Sequence, residues 1–277
     1  MKEKLTGWDD LDDLGLKPGD LDGDLFHKPP EGVFGQIPLD QFLHDLEDNG
    51  LLERLRGRGY HNFRLGLDKE DAYTERLRLF GMHPDHQGEL QLMDVRSHRG
   101  VIETPWNTRY RVLGWDWLEM QDPLARPSPY RPILPGQTHP GLGLFRGLTR
   151  MMLNYVPQLE VEGLTAVPQY FHNAVLYSGQ FCFLDACVQG RFQAACRDLL
   201  DEGLAPASWW VARQEVEIVE RATGERRPYV WEPEKIVRGL CPDLKERLTS
   251  PDYLEACQQA MEQVEFRRRE ESPCKPD

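Results

Sequence analysis

The chain lacks the marks of several simple functional classes. Its six cysteines form no C-x-x-C pair, and none stands near histidines at zinc-finger spacing, so a structural zinc site has no support. No run of about 18 apolar residues occurs, which argues against a membrane span. Met1 to Asp10 carries no apolar stretch of the secretory type, so a cytoplasmic protein with reduced thiols is expected. Positive charge is scarce. With 33 Lys and Arg against 46 Asp and Glu, the net charge is −13, which excludes a general nucleic-acid binder, since that affinity rests on cations neutralising phosphates. No internal repeat is present.

Metal-binding patterns are missing as well. His83-Pro-Asp-His86 with Glu89 matches neither H-E-x-x-H nor H-x-H-x-D-H, and His98 is flanked by Arg96 and Arg99. The run Asp20 to Asp24 places its glycine too early for an EF-hand. No metal is expected.

What is present is enough to bury a large core, with 277 residues of which 40% are hydrophobic. Residues 1–37, rich in Asp, Gly, Leu and Pro, follow neither a helical nor a strand period and are expected to be an irregular arm held through Trp8 and Phe26. From Pro38, leucines and Phe42 recur at helical spacing until Gly57-Arg-Gly59. Alternating segments at Phe63–Leu67, Leu77–Leu79, Glu89–Val95 and Tyr110–Glu119 predict an antiparallel meander, with Trp115 and Trp117 on one strand face. A Pro-rich segment, Asp122 to Pro135, follows.

The rhythm then changes. Leu144 to Tyr155 reads as a helix, Leu164–Val167 as a short buried strand, Tyr170–Tyr177 as a helix and Phe181–Leu184 as a strand. Cys182 and Cys187 are expected in the core. Gly190–Leu200 reads as a helix, Glu215–Glu220 and Arg227–Trp231 as a hairpin, and Pro242 to Phe266 as one last helix before a charged tail. The order predicts an α+β fold with one β-α-β step.

The chemistry concentrates in Gln137-Thr-His-Pro-Gly-Leu-Gly-Leu144, a glycine-rich turn that opens a helix. The free amides and positive end of such a helix suit an anion. Leu176-Tyr177-Ser-Gly-Gln-Phe181 closes the next helix. In these two segments, and in their order, the chain resembles the GNAT superfamily of N-acetyltransferases. Its cofactor loop, [Q/R]-x-x-G-x-[G/A], follows the fourth strand, and its later helix ends in an L-Y-x-x-x-G-F-like segment. The likeness spans roughly residues 60–185. Aligning the glycines puts Thr138 at the Gln/Arg position, one residue after Gln137. Aligning Tyr177 puts Tyr170 where the family has asparagine, three residues before Asn173.

The resemblance implies a mixed, mostly antiparallel central sheet flanked by helices, in a domain of residues 38–205. The N-terminal arm 1–37 and a C-terminal hairpin-and-helix extension, 206–277, would be additions. It further implies acetyl-CoA or another acyl-CoA as cofactor, bound by Gln137, Thr138, Gly141, Leu142, Gly143 and Asn173. Tyr177 would be the acid for the leaving thiolate, and Glu119 or Asp116 the base. The acceptor would be a small-molecule or peptide amine attacking directly. His139 and His172 fall inside the two matching segments and are expected to line the cleft or to be plain polar positions. A homodimer stays open. The alternatives are an acyl-CoA-binding or protein-interaction domain of the same fold without catalysis, and an unrelated α+β interaction protein whose glycines are a turn.

Overall fold

A computed structural model describes residues 32–71 and 73–269. Most of the arm, including Trp8, Phe26 and the Asp20–Asp24 run, lies outside the described residues, as do Cys274 and the end of the charged tail.

The described chain begins with a tight turn in which Val33, Phe34 and Ile37 are buried. The helical run from Pro38 is broken at Asn49-Gly50 into α1, Leu39–Asp48, and α2, Leu51–Arg56. Gly50 takes φ +69° there, a conformation glycine adopts freely. Four antiparallel strands follow: β1, His61–Lys69; β2, Thr74–His83; β3, His86–Glu103; and β4, Arg109–Met120. Strand β2 alternates as predicted, with Leu77 and Leu79 inward, whereas β1 is at most half-buried and β3 buries Leu92 to Val95 in succession.

After the Pro-rich segment come α3, Phe145–Leu153, and α4, Val156–Leu159. Strand β5, Gly163–Ala166, is buried throughout and lies parallel to β4. Then come α5, Phe171–Tyr177; β6, Cys182–Phe183; α6, Ala186–Leu199; α7, Leu204–Ala212; β7, Val216–Glu220; and β8, Arg226–Pro228. The chain ends with β9, Ile236–Gly239; α8, Pro242–Leu248; α9, Pro251–Gln263; and β10, Val264–Arg268. The protein is thus α+β, with a mostly antiparallel seven-stranded sheet in the order β1-β2-β3-β4-β5-β9-β6, flanked by helices, and a small sheet β10-β7-β8.

Several expectations change. The final helix is two helices, and its end is strand β10, where Val264 and Phe266 alternate with polar residues and pair with β7. From the C-terminal segment, β9 is hydrogen-bonded between β5 and β6 in the central sheet. Cys187 is exposed and Cys182 only half-buried. The two tryptophans of β4 part company: Trp115 is 4% exposed and Trp117 45%. The cause is a β-bulge. Trp115 pairs with Ser97 and Trp117 with Arg96, which leaves Asp116 as an extra residue on β4. That resets the alternation and increases local twist and bend.

Helices α6 and α9 approach closely at Gly190. A Cβ there would stand 2.8 Å from Ala260 Cβ and inside the envelope of the Cys257 carbonyl. Gly190→Val is therefore expected to lower the unfolding free energy by about 1–3 kcal/mol in urea titrations. Gly179→Ala, with nothing within 4 Å of the added carbon, should stay within about 0.5 kcal/mol of the parent.

Candidate functional site

Strand β4 is paired on both sides only as far as Trp115. Its parallel pairing with β5 runs from Val112↔Gly163 to Trp115↔Ala166 and stops at the bulge. Beyond it the strands diverge, and the β4 edge from Asp116 to Glu119 has no partner strand on that side. The opening is a cleft of about 610 Å³. One wall is Trp115 to Gln121, and the other is Val167 to Tyr170 with His172, Asn173 and Tyr177. Pro135, Gly136 and Gln137 form part of the lining.

The fold thus brings together four expected residues, Glu119, Gln137, Asn173 and Tyr177. Glu119 is half-buried, and no hydrogen bond or ion pair engages its carboxylate among the described residues. Tyr177 is buried beside Phe145 and Phe181, at ring distances of 4.6 and 5.5 Å. The same two rings flank Trp115 at 6.4 and 6.0 Å. Burial raises the phenol's pKa well above its ordinary value, so Tyr177 keeps its proton. Asn173 is partly committed, because its Oδ1 accepts from the Tyr170 amide at 3.2 Å at the start of α5.

Thr138, Gly141, Leu142 and Gly143 lie beyond the cleft lining, and their roles differ from the expectation. The Gln121 side chain holds the first part of the turn: its Oε1 accepts from the Thr138 amide and hydroxyl and from the His139 amide, at 2.7–3.1 Å. The Leu142 amide is taken by the Met120 carbonyl at 2.9 Å, and its side chain is fully buried. The remaining turn is pinned by its carbonyls. Arg131 donates to Gly141 O, Arg58 to Leu142 O and Arg54 to Gly143 O, at 3.3, 2.7 and 3.2 Å. In a trans peptide the C=O and the next N–H point opposite ways. Carbonyls held by Arg58 and Arg54 therefore turn the amides of Gly143 and Leu144 away from those arginines. Among the described residues no protein acceptor meets those amides or those of Phe145 and Arg146, and no side chain caps α3. Gly143 adopts φ +64° to make this turn.

Two of these arginines, Arg131 and Arg58, are themselves drawn to a buried carboxylate, Asp122, for which the sequence suggested no role. Asp122 accepts from Tyr60 Oη at 2.6 Å and Arg131 at 2.9 Å, with Arg58 at 3.7 Å. Burial opposes its ionisation, but these donors outweigh it and hold the carboxyl below its ordinary value. At the rim, Tyr170 packs on Gly136, where a Cβ would stand 2.6 Å from the tyrosine hydroxyl oxygen. Two tryptophans from α7 and the following segment brace this side: Trp209 donates to Ile133 O and Trp231 to Pro168 O, each at 3.1 Å.

Of the two histidines in the matching segments, His139 contributes its backbone to the Gln121 contact. His172 is buried at 1% exposure and stacks on Tyr170 with ring centres 5.6 Å apart. Its Nδ1 has no hydrogen-bond partner among the described residues. Among the described residues no group of three or more His, Cys, Asp and Glu side chains is placed to hold a metal ion, and no helix is long and apolar enough to cross a membrane. Comparison with family models finds none that matches the chain, and comparison with curated proteins finds no match.

Burial pushes the His172 imidazole down to about 4. Folding then favours the neutral ring, so stability present above the unfolded value of about 6.5 is lost as pH falls toward 4, by about 3 kcal/mol across the interval. His172→Phe should flatten that part of the stability profile. Equal slopes in parent and variant, measured by urea unfolding between those pH values, would remove His172 as the cause.

Proposed function

We propose that the protein is an acyl-CoA-dependent N-acyltransferase of GNAT type. The observation that carries the reading is the divergence of β4 from β5, which places an unpaired strand edge, Glu119, Asn173 and the Tyr177 hydroxyl around one cleft. The amides at the start of α3, without a protein acceptor among the described residues, offer an anion site on the helix that follows the turn.

The donors present fit such a cofactor. The amides from Gly143 to Arg146 would hold its pyrophosphate, and the β4 edge from Asp116 to Glu119 offers backbone groups to a pantetheine arm. When bound, acetyl-CoA or another acyl-CoA supplies a thioester activated toward amines. Tyr177, protonated and without a protein partner, delivers a proton to the leaving thiolate. Two carboxylates on β4 stand where the amine must lose its own proton: Glu119, which is unengaged, and Asp116, which is bonded to His98 at 2.9 Å. The acceptor is a small-molecule or peptide amine, in keeping with the acidic balance. The compartment that goes with this chemistry is the cytoplasm, where the described cysteines, all free, stay reduced.

A second reading, an acyl-CoA-binding domain without catalysis, draws on Asn173 and Thr138, whose polar atoms serve the fold. Calorimetry with acetyl-CoA and longer acyl-CoAs tests the cofactor. Saturable binding is expected, with a loss of at least tenfold in affinity in Gly141→Asp. That site accepts a Cβ, its nearest neighbours lying 3.8 Å away, so the effect would come from the added charge. Failure of every acyl-CoA to bind would sink both readings. If binding holds, Tyr177→Phe should lower kcat by about 100-fold with unchanged affinity. An undiminished kcat would take the tyrosine out of the mechanism and favour the alternative.

A further inference from the structure

His98, on β3, occupies a seat made by two glycines. Gly114 is its lateral neighbour on β4, and Gly100 follows it on its own strand. A Cβ at Gly114 would stand 2.8 Å from either ring nitrogen, and one at Gly100 3.2 Å from Cδ2. The imidazole therefore fills space that two side chains would otherwise take. From there Nδ1 meets Asp116 Oδ1 at 2.9 Å and Oδ2 at 3.0 Å.

Asp116 is the bulged residue of β4, so the irregularity that opens the cleft is also where this carboxylate meets the imidazole. An Nδ1–H donated to a carboxylate selects the tautomer whose Nε2 carries a free lone pair. Among the described residues no protein group bonds that Nε2, and the His98 side chain is 33% exposed. Asp116 also lines the main cleft.

We propose that His98 is the catalytic base of the acyl transfer and Asp116 its positioning residue; this rests on the acyl-CoA reading above. Nε2 takes a proton from the ammonium. The amine nitrogen then bonds to the thioester carbonyl carbon and gives its second proton to solvent, the C–S bond breaks, and the departing sulfur takes the Tyr177 proton. His98 and Tyr177 return to their starting states by exchange with solvent, leaving an amide and a free thiol.

The field around the ring suits this role. On β2 its lateral neighbour is the uncharged Thr74, followed on the same face by Arg76, which is paired with Asp94. On β3 the charges beside it are Arg96, which is paired with Glu70, and Arg99, which donates to Phe34 O at 2.7 Å. On β4 the charge is Asp116 itself. Among the described residues Asp116 is the charged group bonded to the ring.

The test combines two measurements on the full chain: acetyl-CoA affinity by calorimetry, and thiol release from acetyl-CoA with spermidine, tyramine or lysine methyl ester across the pH range. His98→Gln should lower kcat by about 100-fold, leave acetyl-CoA affinity within about twofold, and erase the acidic limb of kcat/KM. Asp116→Asn should lower kcat and displace that limb. Added imidazole should restore part of the activity of His98→Ala, which a structural role would not predict. A parent-like kcat and pH profile in His98→Gln overturns the assignment, as does a parent protein that binds acetyl-CoA but releases no thiol with any amine. Absence of acetyl-CoA binding is a different failure, since it removes the acyl-CoA reading itself.

Discussion

One extra residue in one strand governs the candidate site. Pairing of β4 with β5 ends at Trp115 and Ala166, and Asp116 bulges out of the β3–β4 ladder at the very next position. Up to Trp115 the two strands share hydrogen bonds, and the tryptophan goes inward against Phe145 and Phe181. After the bulge Trp117 faces solvent, the strand edge is unpaired and the chain must return through the Pro-rich segment before α3 can begin. The cleft, the inward tryptophan and the His98 contact share this origin.

The second constraint concerns the turn before α3. A glycine-rich turn left to itself would sample many conformations, and a ligand would have to order it at binding. Here Gln121 gathers one half and three arginines hold the carbonyls of the other. In a chain with net charge −13, so many guanidinium groups on one short turn stand out, yet they serve its backbone from behind. Asp122 offsets their charge and, with Tyr60, ties the end of β4 to the segment after α2. The amides at the start of α3 are thereby oriented in advance, as an anion site requires.

What could be read in advance divides by the range of the interaction. The four meander strands and the helices α3, α5 and α6 announce themselves through alternation or helical spacing, because burial of one face leaves a local pattern. Tyr177, Gln137 and Glu119 could be chosen from the order of motifs, and they do meet in one cleft. The contacts that shape the turn could not be chosen. Arg54 and Arg58 act on residues 89 and 84 positions away, and no local pattern marks them. Alternation misled at Trp115 and Trp117 because a bulge is invisible to a period of two. It also misled at the C-terminus, where strand β10 is short and highly charged and reads as the end of a helix.

Strand β5 supplies the far wall of the cleft, yet its other edge is covered by β9, more than seventy residues later in the chain. Such distant pairings form late, since closing a long loop precedes any gain from the contacts. During synthesis the meander can collapse as soon as it emerges. The cleft must wait until Ile236–Gly239 has been made and threaded between β5 and β6. A nascent chain halted before that point would carry an apolar strand with one bare edge, the kind of surface that recruits chaperones or neighbouring chains. Assembly of the site is therefore timed by the end of the chain, although the residues that line it come from the middle.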